Sequence, residues 1–294
     1  MKASVTLYRL AAVLAVCTLI LLLVGALTGG AGPASAARAS WLRVHRHVGE
    51  AVGFLALVTV ASLLLSDSQY WLKTVGVLAL VLFGAQAWLG VVTTHTPQVG
   101  VAHAILSHLC FALLTLLALG ASPAWYRDAA LLEDRGWPSL RSLAWVTPPA
   151  VLLQIAFGAA YRHALISPVP HICWAFAVIL LILMLATFSI SALPPGAAEQ
   201  RQHQGLRRGA IALMILVFVQ LILGVGTFLA RMNLAASVAP DELLSALRAT
   251  HLGLGALVLG FTVALSAEIL RRAAPAASAA TARPPRLAGN GHGG

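Results

Sequence analysis

The stretch Trp41–Gly53, W-L-R-V-H-R-H-V-G-E-A-V-G, places histidine, arginine and two glycines at the mouth of a long apolar run. Gly49 and Gly53 follow His45 at steps of four residues, so on a helix all three lie on one face. A polar ligand beside a strip without side chains suits a flat, metal-bearing macrocycle or a closely approaching helix. Three later helices, which we also expect to begin with a histidine, carry Ala or Gly four residues after it. These pairs are His108 with Ala112, His171 with Ala175 and His251 with Gly255.

The composition of the 294-residue chain is that of a membrane protein. Apolar residues make up 60% and charged residues 10%, and the mean hydropathy is +0.89, which excludes an ordinary soluble domain. The net charge of +10 lies in loop and tail arginines, so we expect membrane lipid and no nucleic acid as a partner. Cys17, Cys110 and Cys173 form no CxxC motif and are expected to be small buried hydrophobic residues.

Eight apolar spans predict an all-α, polytopic membrane protein. The first, roughly 10–27, resembles a secretory signal but is longer than the usual apolar core of one, so we interpret it as an uncleaved helix. Pro148 and Pro149, near the start of the fifth span, are tolerated there because early helical N–H groups lack intrahelical partners. The other spans are expected at about 47–66, 74–94, 102–121, 143–162, 171–190, 210–230 and 251–270.

A repeated hairpin organises these spans: an odd-numbered helix, a short loop and a histidine-led even-numbered helix. The motif Q-x-x-[LF]-G recurs in the third, fifth and seventh spans, at Gln86 to Gly90, Gln154 to Gly158 and Gln220 to Gly224. An amide in the membrane needs a partner and a glycine admits a close neighbour, so the motif serves either helix packing or ligand contact. The hairpins predict two pseudo-repeated four-helix bundles. We expect an N-terminal half at 1–122, a cytoplasmic linker at 123–142, a C-terminal half at 143–272 and a disordered tail at 273–294.

The distribution of Lys and Arg predicts the orientation. With both termini in the cytoplasm, thirteen of the nineteen basic residues lie on the cytoplasmic side and six outside, as the positive-inside rule requires for a multi-pass protein of the cell's inner membrane. Only His203 and His292 then lie inside. The other eight histidines form a layer at the outer helix ends, which we interpret as a binding site: His45, His47, His95, His103, His108, His163, His171 and His251.

Two histidines in each half suit a haem iron held between facing helices. Zinc is a weaker interpretation because the layer has almost no carboxylates and no nearby cysteine. His45 and His47 are about 200° apart around a helix, and His103 and His108 about 140°, so one of each pair faces away from the bundle and geometry leaves the choice open. Three arginines at the rim suit haem propionates or snorkelling to the interface: Arg46, Arg162 and Arg248.

These residues resemble the haem A synthase family, whose members have eight helices in two similar halves and a histidine pair in each. The resemblance covers roughly residues 10–272. The family motif H-R-x-x-G-x-x-x-G of helix 2 is matched by His45, Arg46, Gly49 and Gly53. The motifs of helices 3 and 4 are matched by Gln86, Leu89 and Gly90 and by His108, Leu109 and Ala112. Gly158 to His163 is similar to the family's G-A-Y-V-R-H, and Gln220, Gly224 and His251 match helices 7 and 8.

The resemblance implies that the substrate, haem O, binds in the first half through His45 and His108. It implies a haem b cofactor in the second half, with its iron held by His171 and His251. The implied reaction oxidises the C8 methyl group of haem O to a formyl group, giving haem A for terminal oxidases. Haem O synthase and cytochrome oxidase assembly factors are the implied partners, with an electron donor that the sequence does not identify. Further cofactor contacts are assigned to Arg46, Gly49, Gln86, Gly90, Arg162, His163, Gln220 and Arg248.

The chain departs from the family pattern in three places. Leu42 stands where the family has a glutamate three residues before the histidine. Glu50 is the nearby acidic candidate for that catalytic role, although its spacing from Arg46 predicts an ion pair with that arginine. The first outer loop lacks the cysteine pair of some members, and Ile172 follows His171 where the family often has Arg. The alternative function is a b-type electron-transfer cytochrome without synthase activity. A transporter built from repeats would leave the histidine layer unexplained.

Overall fold

The computed structural model describes residues 4–28, 36–92, 96–126, 131–134, 136–194, 203–235 and 241–275. Within these ranges it contains eight α-helices, each long and apolar enough to cross a membrane. The predicted all-α, polytopic membrane fold is confirmed. The helices are α1 Val5–Thr28, α2 Ala36–Leu64, α3 Tyr70–Val92, α4 Pro97–Ala121, α5 Leu140–Arg162, α6 Val169–Ser191, α7 Gln204–Ala235 and α8 Asp241–Arg272. His95, His292 and most of the expected tail lie outside the described residues.

Three of the even-numbered helices begin well before the histidine that was expected to open them. The first residues of α2 and α8 lie more than two helical turns before His45 and His251. Helix α4 begins at Pro97, where the Oγ1 atom of Thr96 accepts a hydrogen bond from the Val99 N–H at 3.4 Å. A capping threonine followed by proline is a favoured helix start. The apolar run therefore marks the membrane-crossing part of each helix rather than its ends.

Each group of four helices has its own core. Helix α1 buries a residue at every third or fourth position, as a helix packed along its whole length does. The buried residues of α1 are Leu7, Ala11, Leu14, Thr18, Leu22 and Ala26. Leu7, Ala11 and Leu14 join α2, α3 and α4 in one core, and α5 to α8 share a second core. A small cluster of Leu22, Phe111 and Ala256 lies between them. The two four-helix bundles therefore pack side by side through α1, α4, α5 and α8.

Glycines of α8 bring the two bundles together. A Cβ atom built on Gly260 would lie 2.9 Å from Cε1 of Phe111 in α4. A Cβ atom on Gly253 would collide with the side chain of Leu23 in α1. Small residues at helix crossings let backbones approach closely in membranes, where packing replaces the hydrophobic effect as the driving force. Helix α8 thus belongs to the second core and also seals the boundary with the first.

Large apolar side chains cover the outside of the molecule. Phe54 and Phe176 are each 70% exposed, and Trp88 is 65% exposed. An exposed apolar surface of this kind is unfavourable in water but suits lipid acyl chains. Contact with membrane lipid follows from this surface.

A short β-ladder, which we call the clasp, ties the linker between the bundles to the end of α8. Strand β1, Leu132–Asp134, pairs in parallel with strand β2, Ala273–Pro275. Arg141 donates hydrogen bonds to the carbonyls of Leu270, at 3.2 Å, and Ala273, at 3.0 Å. The expectation that the disordered tail begins at Ala273 is therefore wrong for its first three residues, because backbone pairing orders them. The clasp lies at the end of the bundles opposite to His45, His171 and His251.

The two prolines of α5 lie deeper in the helix than expected. Helix α5 begins at Leu140, with the Oγ atom of Ser139 accepting from the Ser142 N–H at 3.1 Å. Pro148 and Pro149 consequently lie in the third turn, and the expectation that they lie near the start of the helix, where N–H groups lack intrahelical partners, is wrong. In a membrane bundle, neighbouring helices tolerate such interruptions of the backbone hydrogen bonds.

Candidate functional site

In the second bundle, a glycine of each odd-numbered helix packs against a histidine of the following helix. A Cβ atom built on Gly158 of α5 would lie 2.9 Å from Cε1 of His171 in α6. A Cβ atom on Gly224 of α7 would lie 3.0 Å from Cε1 of His251 in α8. Carbon atoms in contact prefer separations of about 3.5–4.0 Å. Both imidazoles therefore rest directly on backbone that only glycine leaves bare.

The first bundle repeats this arrangement with one difference. A Cβ atom on Gly25 of α1 would lie 2.9 Å from Cε1 of His45 in α2. The corresponding partner of Gly90 in α3 is His103 of α4, at 3.7 Å, and not His108. We call the imidazoles that pack on these four glycines the four-histidine set: His45, His103, His171 and His251.

Glutamines tie the histidine helices to their neighbours four residues before the glycine. The amide nitrogen of Gln86 donates to the carbonyl of His103 at 2.9 Å, and that of Gln154 donates to the carbonyl of His171 at 3.0 Å. In the last hairpin the amide of Gln220 lies against Nε2 of His251 at 3.4 Å. In all three glutamines the buried Oε1 atom has no hydrogen-bond partner among the described residues. Each motif thus joins two helices and keeps one acceptor unused.

The imidazoles of the second bundle are in a form that can bind a metal. Nδ1 of His171 donates to the carbonyl of Gln154 at 3.2 Å, which leaves Nε2 as the acceptor nitrogen. Nε2 of His171 and Nε2 of His251 face the amides of Gln154 and Gln220, at 3.5 and 3.4 Å. A carbonyl that accepts from Nδ1 fixes the tautomer in which Nε2 is a ligand. The neutral, metal-binding form is therefore built into this bundle.

Among the described residues, the imidazoles of the other three members of the set lack the hydrogen bond from Nδ1 to a carbonyl that holds His171. His45, His103 and His251 approach the backbone of Leu21, Gln86 and Gln220, the residues four before their glycines. Their buried Nδ1 atoms make no hydrogen bond within the described parts of the chain.

The distance between the facing histidines fits an iron between them. The ring centres of His171 and His251 are 6.4 Å apart, and their planes are inclined by 79°. Two imidazoles that each bind one metal ion at about 2 Å separate their ring centres by roughly 6 Å. His45 and His103 are also close enough to interact electrostatically. The described residues contain no cluster of three or more His, Cys, Asp or Glu that could hold a metal ion, so the donor sets here are histidine pairs, as for the axial ligands of a haem.

His108 lies in a different environment from the four-histidine set. Its side chain is almost fully buried, with 3% exposure. Nδ1 donates to the carbonyl of Ala104 in its own helix at 2.7 Å, and the ring also reaches the backbone of Leu252 in α8. His108 therefore occupies the boundary between the two bundles.

Arg162 extends from the end of α5 to the first bundle. Its Nη2 atom donates to the carbonyl of Ala26 in α1 at 3.4 Å, and it interacts electrostatically with Arg248 and His108. Guanidinium groups have planar donors that match the acceptors of a carboxylate. This fits the expectation that Arg162 and Arg248 face haem propionates. Arg46 is exposed on α2.

His163 follows Arg162 and packs against the other bundle. Its imidazole lies so close to Gly100 of α4 that a Cβ atom there would collide with it. Burial, together with the Arg162 guanidinium, lowers the pKa of His163, which favours the neutral ring. His163 is thus a contact between the bundles near the rim.

The predicted ion pair between Arg46 and Glu50 is wrong. The Oε2 atom of Glu50 lies 3.3 Å from Nδ1 of His47, and these two side chains are 74% and 77% exposed. Gly49 and Gly53 meet the side chains of Leu21 and Phe83, so their strip serves helix packing. The structure therefore places Glu50 on the exposed face of α2 and does not bring it to the four-histidine set.

Two parts of the site were missed by sequence reasoning. In α1, Leu21 and Gly25 correspond to the Gln and Gly of the Q-x-x-[LF]-G motif and contact His45 in the same way. The motif was not recognised there because Leu21 replaces the glutamine, and only Gly25, four residues later, could have indicated it. The partnership of Gly90 with His103 was left open, although Gly90 precedes His103 by thirteen residues, as Gly158 precedes His171.

Eight apolar helices in two bundles, each with a pair of neighbouring histidines near one end, define a polytopic helical membrane protein with paired imidazoles. Residues 34–167 match the family COX15-CtaA, described as cytochrome oxidase assembly protein. This segment covers less than half of the chain, spans α2 to α5 and ends before His171. Over it the chain is similar to that haem A synthase family, in agreement with the resemblance that its motifs carry. Comparison with curated proteins returned no match. The match supports a role in cytochrome oxidase assembly.

Proposed function

We propose that the protein is a haem A synthase, which oxidises the C8 methyl group of haem O to a formyl group. The observation that carries the proposal is the facing pair of His171 and His251, with ring centres 6.4 Å apart and each ring seated on a glycine. This pair would hold the iron of a haem b in the second bundle. The first bundle, with His45, would receive haem O as the substrate.

The side chains of the chain would bind and orient these groups. When bound, haem iron supplies the redox chemistry that the described residues lack. The carbonyl of Gln154 holds the proton on Nδ1 of His171 and so keeps Nε2 available. Arg162 and Arg248 would pair with propionate carboxylates at the rim, which fixes the height of the macrocycle in the bundle. Unused Oε1 atoms, such as that of Gln86, offer acceptors beside the rings.

The proposed setting follows from the charge distribution. We place the protein in the cell's inner membrane, with both termini in the cytoplasm and the four-histidine set near the outer face. Haem O synthase would supply its substrate there, and cytochrome oxidase assembly factors would take up the product.

A b-type electron-transfer cytochrome is the second candidate, favoured by one specific observation. The family's glutamate is replaced by Leu42, and Glu50 lies in an exposed pair with His47. No acid of helix α2 is thereby placed beside the four-histidine set to move protons during the oxidation. Haem binding does not need such an acid, whereas methyl oxidation releases protons.

Haem binding by the second bundle is tested by substitution of its ligands. We expect His171→Ala and His251→Ala each to remove a tightly bound b-type haem, measured as haem per protein and as the reduced-minus-oxidised spectrum. His47→Ala is the matched control, because His47 is exposed and should leave both signals unchanged. If both ligand variants keep the wild-type haem content and low-spin spectrum, the second-bundle site is wrong.

The reaction is tested by co-expression with a haem O synthase in a host that lacks haem A, followed by chromatography of the extracted haems. Haem A or its hydroxylated intermediate should appear. The presence of only haem B and haem O, with the protein folded and haem-loaded, would reject the synthase in favour of the cytochrome.

A further inference from the structure

We propose that His103, and not His108, is the iron ligand opposite His45 in the first bundle. The proposal rests on the proposed haem-binding function and names the donor pair of its substrate site. Haem O and haem b have the same iron porphyrin core. The first bundle would therefore need two imidazoles that face each other, as His171 and His251 do.

The repeat geometry selects His103. In the other three hairpins, the imidazole packed on the glycine is His45, His171 or His251. In α4 that imidazole is His103, which packs on Gly90. The tie from Gln86 to the His103 carbonyl, at 2.9 Å, reproduces the tie from Gln154 to the His171 carbonyl, at 3.0 Å. In α4, therefore, His103 makes both the contact with the glycine and the hydrogen bond with the glutamine of α3.

The surroundings of His103 also point to a ligand role. Its imidazole approaches the backbone of Gln86, as the imidazole of His171 approaches the backbone of Gln154. His103 interacts electrostatically with His45 and with His163. It therefore lies beside the other expected ligand of the first bundle, with its ring against the backbone of α3.

His108 is turned away from that position. Five residues separate it from His103, which on a helix is about 140° of rotation and about 7.5 Å along the axis. Its Nδ1 atom donates to the Ala104 carbonyl at 2.7 Å, as that of His171 does to the Gln154 carbonyl, but its ring also reaches the backbone of Leu252 in the other bundle. A ring used in this way joins α4 to α8, so we assign His108 a structural role at the boundary between the bundles.

The experiment is a titration of the purified full-length protein with haemin, which carries the same iron and propionates as haem O. Absorption and electron paramagnetic resonance spectra report low-spin iron with two histidine ligands and high-spin iron with one. The wild type should show two low-spin sites. His103→Ala should convert about one half of the low-spin signal to high-spin or lose it, and added imidazole should restore it. His108→Ala should keep both low-spin sites.

The second bundle serves as the internal control for folding, because its low-spin signal should persist in both variants. The opposite pattern, with His103→Ala low-spin at both sites and His108→Ala impaired and rescued by imidazole, would overturn the proposal. If both variants lose the first-site signal, the variant that imidazole rescues identifies the ligand. If the wild type itself binds no haemin, the proposed function fails rather than the ligand assignment alone.

Discussion

A single carbon atom decides how closely an imidazole can approach the neighbouring helix in this protein. Gly224 and Gly226 lie in the same helix, but a Cβ atom on Gly224 would lie 3.0 Å from His251 while one on Gly226 would meet nothing within 4 Å. Overpacking of this kind costs about 1–3 kcal/mol. We therefore expect Gly224→Ala to weaken haem binding roughly tenfold, measured by haemin titration. Gly226→Ala is the matched control, and equal affinity of the two variants would contradict the role of the glycine seat.

Glu50 gives a second prediction at this scale. Its carboxylate is exposed and pairs with His47, and exposed pairs contribute little to stability. We expect Glu50→Gln to leave haem content and extracted haem products as in the wild type, measured by spectroscopy and chromatography. A variant that keeps its haem but forms no product would instead give Glu50 the catalytic role that the sequence suggested.

Residue patterns predicted some of these contacts and not others. The pairing of Gln86, Gln154 and Gln220 with glycine follows from helical periodicity, because residues four apart share a face. The choice between His103 and His108 did not follow. A helix gives the angle between two side chains, but which of them faces the bundle depends on how the whole helix is rotated against its neighbours. That rotation is set by packing between helices distant in sequence.

The clasp makes a testable contribution as an element. Both carboxylate oxygens of Asp134 accept backbone N–H groups at the start of α5, from Leu140 at 2.8 Å and from Arg141 at 3.1 Å. Loss of a helix cap costs about 0.5–2 kcal/mol. We expect Asp134→Ala to lower the thermal unfolding temperature in detergent, because two N–H groups at the start of α5 lose their acceptor, although the Ser139 cap remains, and β1 loses its attachment to α5.

The haem spectrum of the same variant provides the control. The clasp lies at the end of the bundles opposite to the four-histidine set, so haem per folded protein should not change. A loss of haem without a loss of thermal stability would contradict this separation of the two ends.

Eight membrane-crossing elements were predictable because a bilayer demands long apolar runs. The helix ends were not predictable. Polar helical turns extend α2 and α8 beyond the apolar runs, and they can do so outside the membrane without exposing apolar side chains to water. The pairing of β1 with β2 was also not predictable. Two three-residue segments far apart in sequence carry too little pattern to indicate that their backbones meet.

At the scale of the whole molecule, the antiparallel succession of helices places all four glycine–histidine contacts at one end. We expect that end to face outward, because thirteen basic residues would then lie on the cytoplasmic side against six outside. Alkaline phosphatase fusions after Ser167 and after Ala236 should be active, and a fusion after Asp128 should be silent. The reverse pattern of activities would invert the orientation and move the histidine layer to the cytoplasmic side.

The contacts inside each hairpin also bear on how a flat ligand gets in. Separating α5 from α6 would break the hydrogen bond from Gln154 to His171 and lift the ring off Gly158. Away from the hydrogen bonds of Arg141 at the opposite end, neighbouring hairpins of the second bundle are joined mainly by the apolar side chains of its core, which exchange for acyl chains at little loss. The contact surfaces between neighbouring hairpins, which we call seams, are thus easier to separate than the two helices within a hairpin. A haem dissolved in the bilayer would be loaded sideways through such a seam, with the membrane itself as its reservoir.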